Sequence, residues 1–321
     1  MPHRWWPPQD LPDIHRLARL VREQGINIIH AHRGKDHWQA VLAAKLYRLN
    51  APVIRTRHVV TPLKGHAANR WLARHTAALV AVSRAVYEDV ERSRAYFGGR
   101  LLLIPGGIDL KLFAPASAAQ RAAARAKLPF AHGQNARATI ACCVARFAVV
   151  KAQRVLIRAW QRVVTALPHA RLLLIGDGLL LPECQALADE LGLRERVVFL
   201  GRRDDVAELL DAADAGVLSS VGSEGFSRAV LEYMAKGLPV VATRVGAVPD
   251  LLTGGAYGQI VPPDDDAALA AALTKVLGAP AAQRDEWGRA ARAVAEQRYG
   301  YDSWAAAHEA LYAQIMMNYE R

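Results

Sequence analysis

Short runs of β-branched and aliphatic residues alternate along this chain with longer stretches whose apolar residues recur every three or four positions. That rhythm predicts parallel βα units rather than hairpins, and so an α/β fold. In the first third it predicts helices over Leu11–Glu23, Lys35–Leu49, Ala67–His75 and Arg84–Arg92, with strands over Asn27–His30, Val53–Thr56, Ala77–Val82 and Leu101–Ile104. The Ala-rich stretch 116–137 has few large apolar residues and reads as the connection between two domains. Six strands follow, near Thr139–Val144, Arg171–Ile175, Val197–Leu200, Ala215–Ser219, Val240–Thr243 and Gln259–Val261. Three consecutive helices, Ala267–Leu277, Ala281–Gln297 and Tyr301–Met317, close the chain. The expected layout is a first doubly wound domain over 1–116, a second over 117–300, and a terminal helix, 301–321, packing back on the first. In open sheets of this kind ligands sit at the carboxyl ends of the strands, so chemistry is sought just after each strand.

Composition narrows the class. With 52% hydrophobic and 22% charged residues, the 321-residue chain can bury real cores, which excludes intrinsic disorder. Its apolar runs are strand-length, far below the roughly 20 residues of a membrane span. The first ten residues show no signal-peptide pattern, and three cysteines, two of them adjacent (Cys142 and Cys143), suit a reducing cytoplasm without disulfides. Charge is uneven: 18 Lys and Arg stand against 8 Asp and Glu before Ala116, which accounts for +10 of the net +11. Such a field attracts anionic surfaces, the acidic face of a membrane among them. No helix-turn-helix, zinc-finger or RNP-like pattern points to nucleic acid.

The strand around Ala215–Ser219 runs into SVGSEGFSRAVLEYMAKGLPVVAT, where Glu224 and Glu232 stand eight residues apart. A helix expected to begin near Phe226 would offer free backbone N–H groups to an anion, and Gly225 would let a ligand approach the backbone. A carboxylate on either side would then serve ligand hydroxyls; the plainer alternative is a capping Ser223 with two solvated glutamates. After the domain's first strand, Arg146 and Lys151 flank a short loop, two cations able to neutralise a diphosphate. Neither G-x-G-x-x-G nor the P-loop signature occurs, which argues against dinucleotide oxidoreductases and P-loop NTPases.

The ordered series RF-x3-K, LLIGDG, VVFLGRRDDV, SEGFSRAVLEYMAKGLPVVATRVGAVPDLL and GQIVPPDD resembles the donor-binding domain of retaining GT-B glycosyltransferases of family 4, over roughly Thr139 to Leu277. INIIHAHRGKDH, VIRTRH, ALVAVSRAVYEDV and LLLIPGGIDLKLFAP resemble, in order, the later part of the family's acceptor domain. The resemblance implies two Rossmann-like domains facing a cleft. It implies a metal-independent hexosyltransferase that moves a sugar from a nucleoside diphosphate to a glycan or lipid-linked acceptor. The setting it suggests is lipopolysaccharide or cell-surface polysaccharide synthesis at the cytoplasmic membrane face. By the same resemblance Glu224 would contact the donor sugar and Glu232 the ribose. Arg146 and Lys151 would hold the diphosphate, helped by backbone N–H groups of Phe226, Ser227 and Arg228, while the backbone near Arg202 would line the base. His58 would stand beside the transferred sugar, and no residue would serve as a dedicated nucleophile.

The departures from the pattern have physical content. The family's glycines before the Arg and after the Lys are Ala145 and Ala152 here, and an alanine at positive φ would be strained. The acceptor domain opens at a helix, so it is expected to lack its first strands. A non-catalytic remnant that still binds a nucleotide sugar is therefore one alternative. The other is a metal-dependent hydrolase built on His30, His32, Asp36 and His37, which follow a strand as HAHRGKDH. Asp264-Asp265-Asp266 formally offers a D-x-D metal signature but precedes a helix it could simply cap. Trp5 and Trp6 beside Pro7-Pro8 offer an interfacial membrane anchor, or the packing edge of a domain.

Overall fold

The computed structural model describes residues 10–60, 65–93, 100–130, 138–222, 224–252 and 257–319. Trp5, Trp6 and Ser223 lie outside the described residues. The chain divides into two compact units, Met1–Pro105 with Trp304–Arg321, and Gly106–Ser303.

The first unit runs α1 (Asp10–Glu23), β1 (Ile29–Ala31), α2 (Gly34–Leu46), β2 (Val53–Arg57), α3 (Ala67–Arg74), β3 (Ala78–Ala81), α4 (Arg84–Arg92) and β4 (Arg100–Leu103). Its four strands are parallel in the order β1-β2-β3-β4. Period-two alternation decides what each strand residue meets: Ile54 joins one core with Ala78, Val80 and Ile104, while Val53 packs with Ala40, Val41 and Leu72. Ser83, two residues past β3, caps α4 through the Val86 N–H, 3.3 Å away. A buried ion pair, Arg57 to Asp89 at 3.3 Å, ties β2 to α4.

The second unit contains α5 (Ala118–Ala126), β5 (Ile140–Val144), a 3-10 turn (Val149–Lys151), α6 (Gln153–Ala166), β6 (Arg171–Ile175), α7 (Leu181–Glu190), β7 (Val197–Gly201) and α8 (Val206–Asp211). It continues with β8 (Ala215–Leu218), α9 (Arg228–Ala235), β9 (Val240–Thr243), α10 (Val248–Leu251), β10 (Gly258–Val261), α11 (Asp266–Gly278) and α12 (Ala281–Tyr299). The strands form one parallel sheet in the order β10-β9-β8-β5-β6-β7. Along β5, Ile140 and Cys142 enter one core with α9 and α12, whereas Ala141 and Cys143 enter the other with α6 and α11. Both faces are covered, which is why these strands read as unbroken apolar runs. Cys142, Cys143 and Cys184 are buried free thiols.

The boundary falls at Pro105/Gly106, earlier than the 116/117 division expected from composition. Ile108 and Phe113 belong to the second unit's core, and the Ile108 N–H donates to the Tyr299 carbonyl at 2.8 Å. The Arg292 guanidinium donates to the carbonyls of Leu110, Phe113 and Ala235, fastening the same segment. The supposed connection contains α5, opened by a capping box of Ser117 and Gln120. The last helix, α13 (Tyr301–Tyr319), contributes Leu311 and Ile315 to the first unit's core beside Ile54, Val80 and Ile104. Among the described residues no helix is long and apolar enough to cross a membrane.

One buried carboxylate organises the amino end of the second sheet. Asp214 accepts from Arg121 and Arg125 at 2.6 Å each and from the Ile140 N–H at 2.8 Å, joining α5 to the starts of β5 and β8. Replacing it would take from Arg121, Arg125 and the Ile140 N–H the buried carboxylate that they share. Asp214→Ala is expected to lower the stability of the second unit by about 3 kcal/mol, read from the midpoint of urea unfolding.

Candidate active site

The strand order of the second unit reverses between β5 and β8: successive strands are added on one side from β5 to β7 and on the other from β8 to β10. Crossovers leave the sheet in opposite directions there, opening a crevice at the carboxyl ends of the two strands. The loops after β5 and β8 carry Arg146, Lys151 and Glu224, and the structure brings two of the three together. Lys151 Nζ pairs with Glu224 Oε1, and Ser220 Oγ donates to the same oxygen at 2.6 Å. Glu224 is 5% exposed, so these donors stand in for the water it has lost.

Backbone bonds lock the two loops side by side. The Val221 N–H donates to the Val150 carbonyl at 2.9 Å, and Ser219 Oγ donates to the Lys151 carbonyl at 2.9 Å. Gln153 donates to the Arg146 carbonyl at 3.0 Å. Ala152 closes the 3-10 turn at φ 48°, a left-handed conformation that costs an L-residue about 1 kcal/mol, whereas Ala145 stands outside the positive-φ region. The strain expected for alanine in this loop thus falls on one of the two positions. Gly246, at φ 50°, packs so closely under Glu224 that an added Cβ would stand 1.5 Å from the Glu224 carbonyl oxygen. That carbonyl accepts from the Ala247 N–H at 2.9 Å, which fixes the backbone bearing the carboxylate. Gly176 and Gly178 likewise press against the carbonyls of Ala145 and Phe147, so the G-D-G turn supports the β5 loop through packing.

The helix after Glu224 begins at Arg228 rather than Phe226. Ser227 is its N-cap residue and makes no side-chain capping bond, so the first N–H groups of α9 have no side-chain partner there. Gly225 and Ser227 are buried, while the Phe226 ring leaves the helix start and lies against Gly106 and Tyr299. Glu232, one turn along, is pushed up to about 7 by burial, against the opposing pull of Arg228 at 3.9 Å. Arg146 and Arg202 are exposed at the ends of β5 and β7. Sequence reasoning missed Ser220 and the buttress role of Gly246, because a serine in a loop and a glycine after a strand carry no signal of the backbone they will touch.

His58 lies in the first unit, exposed just beyond β2, with Nε2 3.0 Å from His32 Nδ1. His30 is held by Tyr312 and Thr56, each at 2.7 Å. His37 turns away into the interior and bonds Thr76 Oγ1 at 2.7 Å, because α2 already starts at Gly34 and carries that ring to another face. The sequence cluster His30, His32, Asp36 and His37 is therefore split. Among the described residues no group of three or more His, Cys, Asp or Glu is placed to hold a metal ion. Asp265 caps α11 through the Ala268 N–H at 2.8 Å, and Asp266 faces Arg162 at 3.4 Å, so the D-x-D signature is accounted for by local bonds.

Residues 138–279 match the family Glycosyl transferases group 1, and residues 1–112 match Glycosyltransferase Family 4. The N-acetyl-alpha-D-glucosaminyl L-malate synthase of Bacillus anthracis is 26% identical over 318 residues, covering 97% of this chain and 81% of the relative. The lipopolysaccharide core biosynthesis mannosyltransferase LpcC of Rhizobium leguminosarum bv. viciae is 28% identical over 287 residues, with coverages of 85% and 76%. A crystal structure of Anabaena Alr3699/HepE with UDP and glucose has a TM-score of 0.81 at 24% identity, covering 94% of this chain and 81% of that one.

The raised Glu232 carboxyl makes a pH prediction. Its folded value, about 7, exceeds the unfolded 4.5, so its contribution to stability is complete below about pH 4.5 and is lost as pH rises through 7. Glu232→Gln should therefore make the ligand-free protein more stable than wild type at pH 8, by up to about 3 kcal/mol, and leave it nearly unchanged at pH 4.5. Thermal or urea unfolding at the two pH values checks this.

Proposed function

Because the chain belongs to the group 1 glycosyltransferases, family 4, and has their GT-B fold, we propose that it moves a hexose-type sugar from a nucleoside-diphosphate sugar to a glycan or lipid-linked acceptor, with retention and without a metal. The observation that carries this reading is the meeting of Lys151 with the Glu224 carboxylate at the sheet's reversal point, beside a helix start with no side-chain cap. A departing diphosphate needs charge stabilisation, which Lys151, Arg146 and the N–H groups of residues 226–228 would supply. Glu224 would hold the donor sugar's hydroxyls, Glu232 the ribose, and the backbone near Arg202 the base. His58 would attend the transferred sugar from the acceptor unit.

In the resting site Lys151 and Glu224 satisfy each other, so a complete donor has to separate them and offer each a new partner. A diphosphate for the lysine and sugar hydroxyls for the carboxylate do so together; a free nucleoside diphosphate does only half of it. The similarity to a lipopolysaccharide mannosyltransferase supports a cell-surface glycan as the acceptor class. The excess of Lys and Arg before Ala116 supports peripheral contact of the acceptor unit with an anionic membrane at the cytoplasmic face.

Calorimetry of the whole chain with UDP and with GDP tests the donor site, and either should bind equally well with or without EDTA. Glu224→Gln should bind the nucleoside diphosphate several-fold more tightly, since Lys151 is released, while transfer falls by about 100-fold or more. Lys151→Ala should weaken nucleoside-diphosphate binding by about tenfold. Weaker diphosphate binding by Glu224→Gln, or binding abolished by EDTA, would reject the assignment.

A further inference from the structure

Three histidine rings lie together at the carboxyl ends of β1 and β2: His30 within β1, and His32 and His58 just past β1 and β2. His32 is stacked on His30 with centroids 4.6 Å apart and planes within 24° of parallel, and it meets His58 edge to edge, with centroids 5.3 Å apart and planes within 29°. His30 forms a fixed floor, because both of its ring nitrogens are engaged: Nδ1 with the Tyr312 hydroxyl of α13 and Nε2 with Thr56 Oγ1 of β2. His58 is held by His32, through the 3.0 Å approach of His32 Nδ1 to His58 Nε2.

Two ring nitrogens at this distance form a hydrogen bond only when one of them carries a proton and the other does not. A pair of neutral imidazoles has two protons on four nitrogens. One of these protons sits in the bridge, so the outer nitrogens, His32 Nε2 and His58 Nδ1, share the other. We propose that His32 is a positioning residue for the transfer reaction: it pins the His58 ring by Nε2, so that Nδ1 is the nitrogen offered to a bound sugar. This rests on the reading of His58 given above.

The surroundings favour the neutral pair. Burial lowers His30 to about 3; partial loss of hydration is also the largest cause lowering His32, followed by Arg55 and His308, and lowering His58, followed by His32 and Arg55. Arg55 of β2 and His308 of α13 oppose protonation of His32, and Asp36 of α2 alone favours it. Protonating both rings of the pair would set two N–H groups head to head and break the bridge.

The test uses His32→Phe, which keeps a stacked ring but has no nitrogen, and His32→Asn, which restores a polar atom near the Nδ1 position. UDP and GDP binding by calorimetry should be unchanged in both. Release of nucleoside diphosphate from UDP-glucose or GDP-mannose, whichever nucleotide binds, should fall about tenfold in kcat for His32→Phe and recover to within about threefold for His32→Asn. The acid limb of that rate should move to higher pH in His32→Phe, because His58 loses a neighbour that opposes its protonation. In wild type, ¹⁵N NMR of the whole chain should show coupling between His32 Nδ1 and His58 Nε2. Absence of that coupling overturns the proposal, as does wild-type turnover with an unmoved acid limb in His32→Phe while His58→Ala is inactive. Wild-type turnover in His58→Ala would instead overturn the role of His58 on which the proposal stands.

Discussion

A carboxylate taken out of water must be given donors, and in this chain that requirement falls on Glu224. It is met from two directions by Lys151 and Ser220. Meeting it determines much of the surrounding architecture. The lysine arrives only because β5 is followed by a tight 3-10 turn that exits through a left-handed Ala152. The turn holds its place only because Gly176 and Gly178 pass close beneath the preceding loop, and because Ser219 and Val221 bond across to it. On the other side, Glu224 is lodged against Gly246, where no larger residue fits. The reversal of strand order supplies the gap, and the buried charge determines what fills it.

The repeating βα rhythm was legible in the sequence because parallel strands covered on both faces must be continuous apolar runs. Arg171–Ile175 and Val240–Thr243 appear in the structure with the expected bounds. The cations and carboxylates after β5 and β8 were legible too, since ligand chemistry in an open sheet gathers at strand ends. Less visible was anything that depends on a distant partner. α5 lies in the stretch that reads as a connection, and its Ala-rich sequence gave no hint that Arg121 and Arg125 would close over Asp214. The H-x-H pattern suggested a metal cluster because spacing along the chain does not show that α2 carries His37 to Thr76, nor that Tyr312 arrives to hold His30. The helix after Glu224 starts later than expected because Phe226 finds a better place against Gly106 and Tyr299 than in a first helical turn.

The two units differ in how they treat charge. In the second, cations are matched to buried carboxylates, as at Asp214 and Glu224, while Glu232, with Arg228 at 3.9 Å, is kept protonatable by burial. In the first, burial and then the neighbouring imidazoles and Arg55 disfavour protonation of His30 and His58. On the proposed reading, an anionic donor would open the Lys151–Glu224 pair of one unit, and the other would present uncharged nitrogen groups. A transferase acting on an anionic donor and a hydroxyl-bearing acceptor needs both kinds of surface.

The first unit is made from both ends of the chain, whereas the second is a single uninterrupted segment, Gly106–Ser303. A chain emerging from the ribosome therefore meets the two in an inverted order. Domains generally fold as units, amino-terminal first. Here Ile54, Val80 and Ile104 lack Leu311 and Ile315 until the chain has been made through α13. The contiguous segment can complete its sheet before then. During that interval part of the first unit's apolar core stays open to water, and exposed apolar surface of this kind favours association.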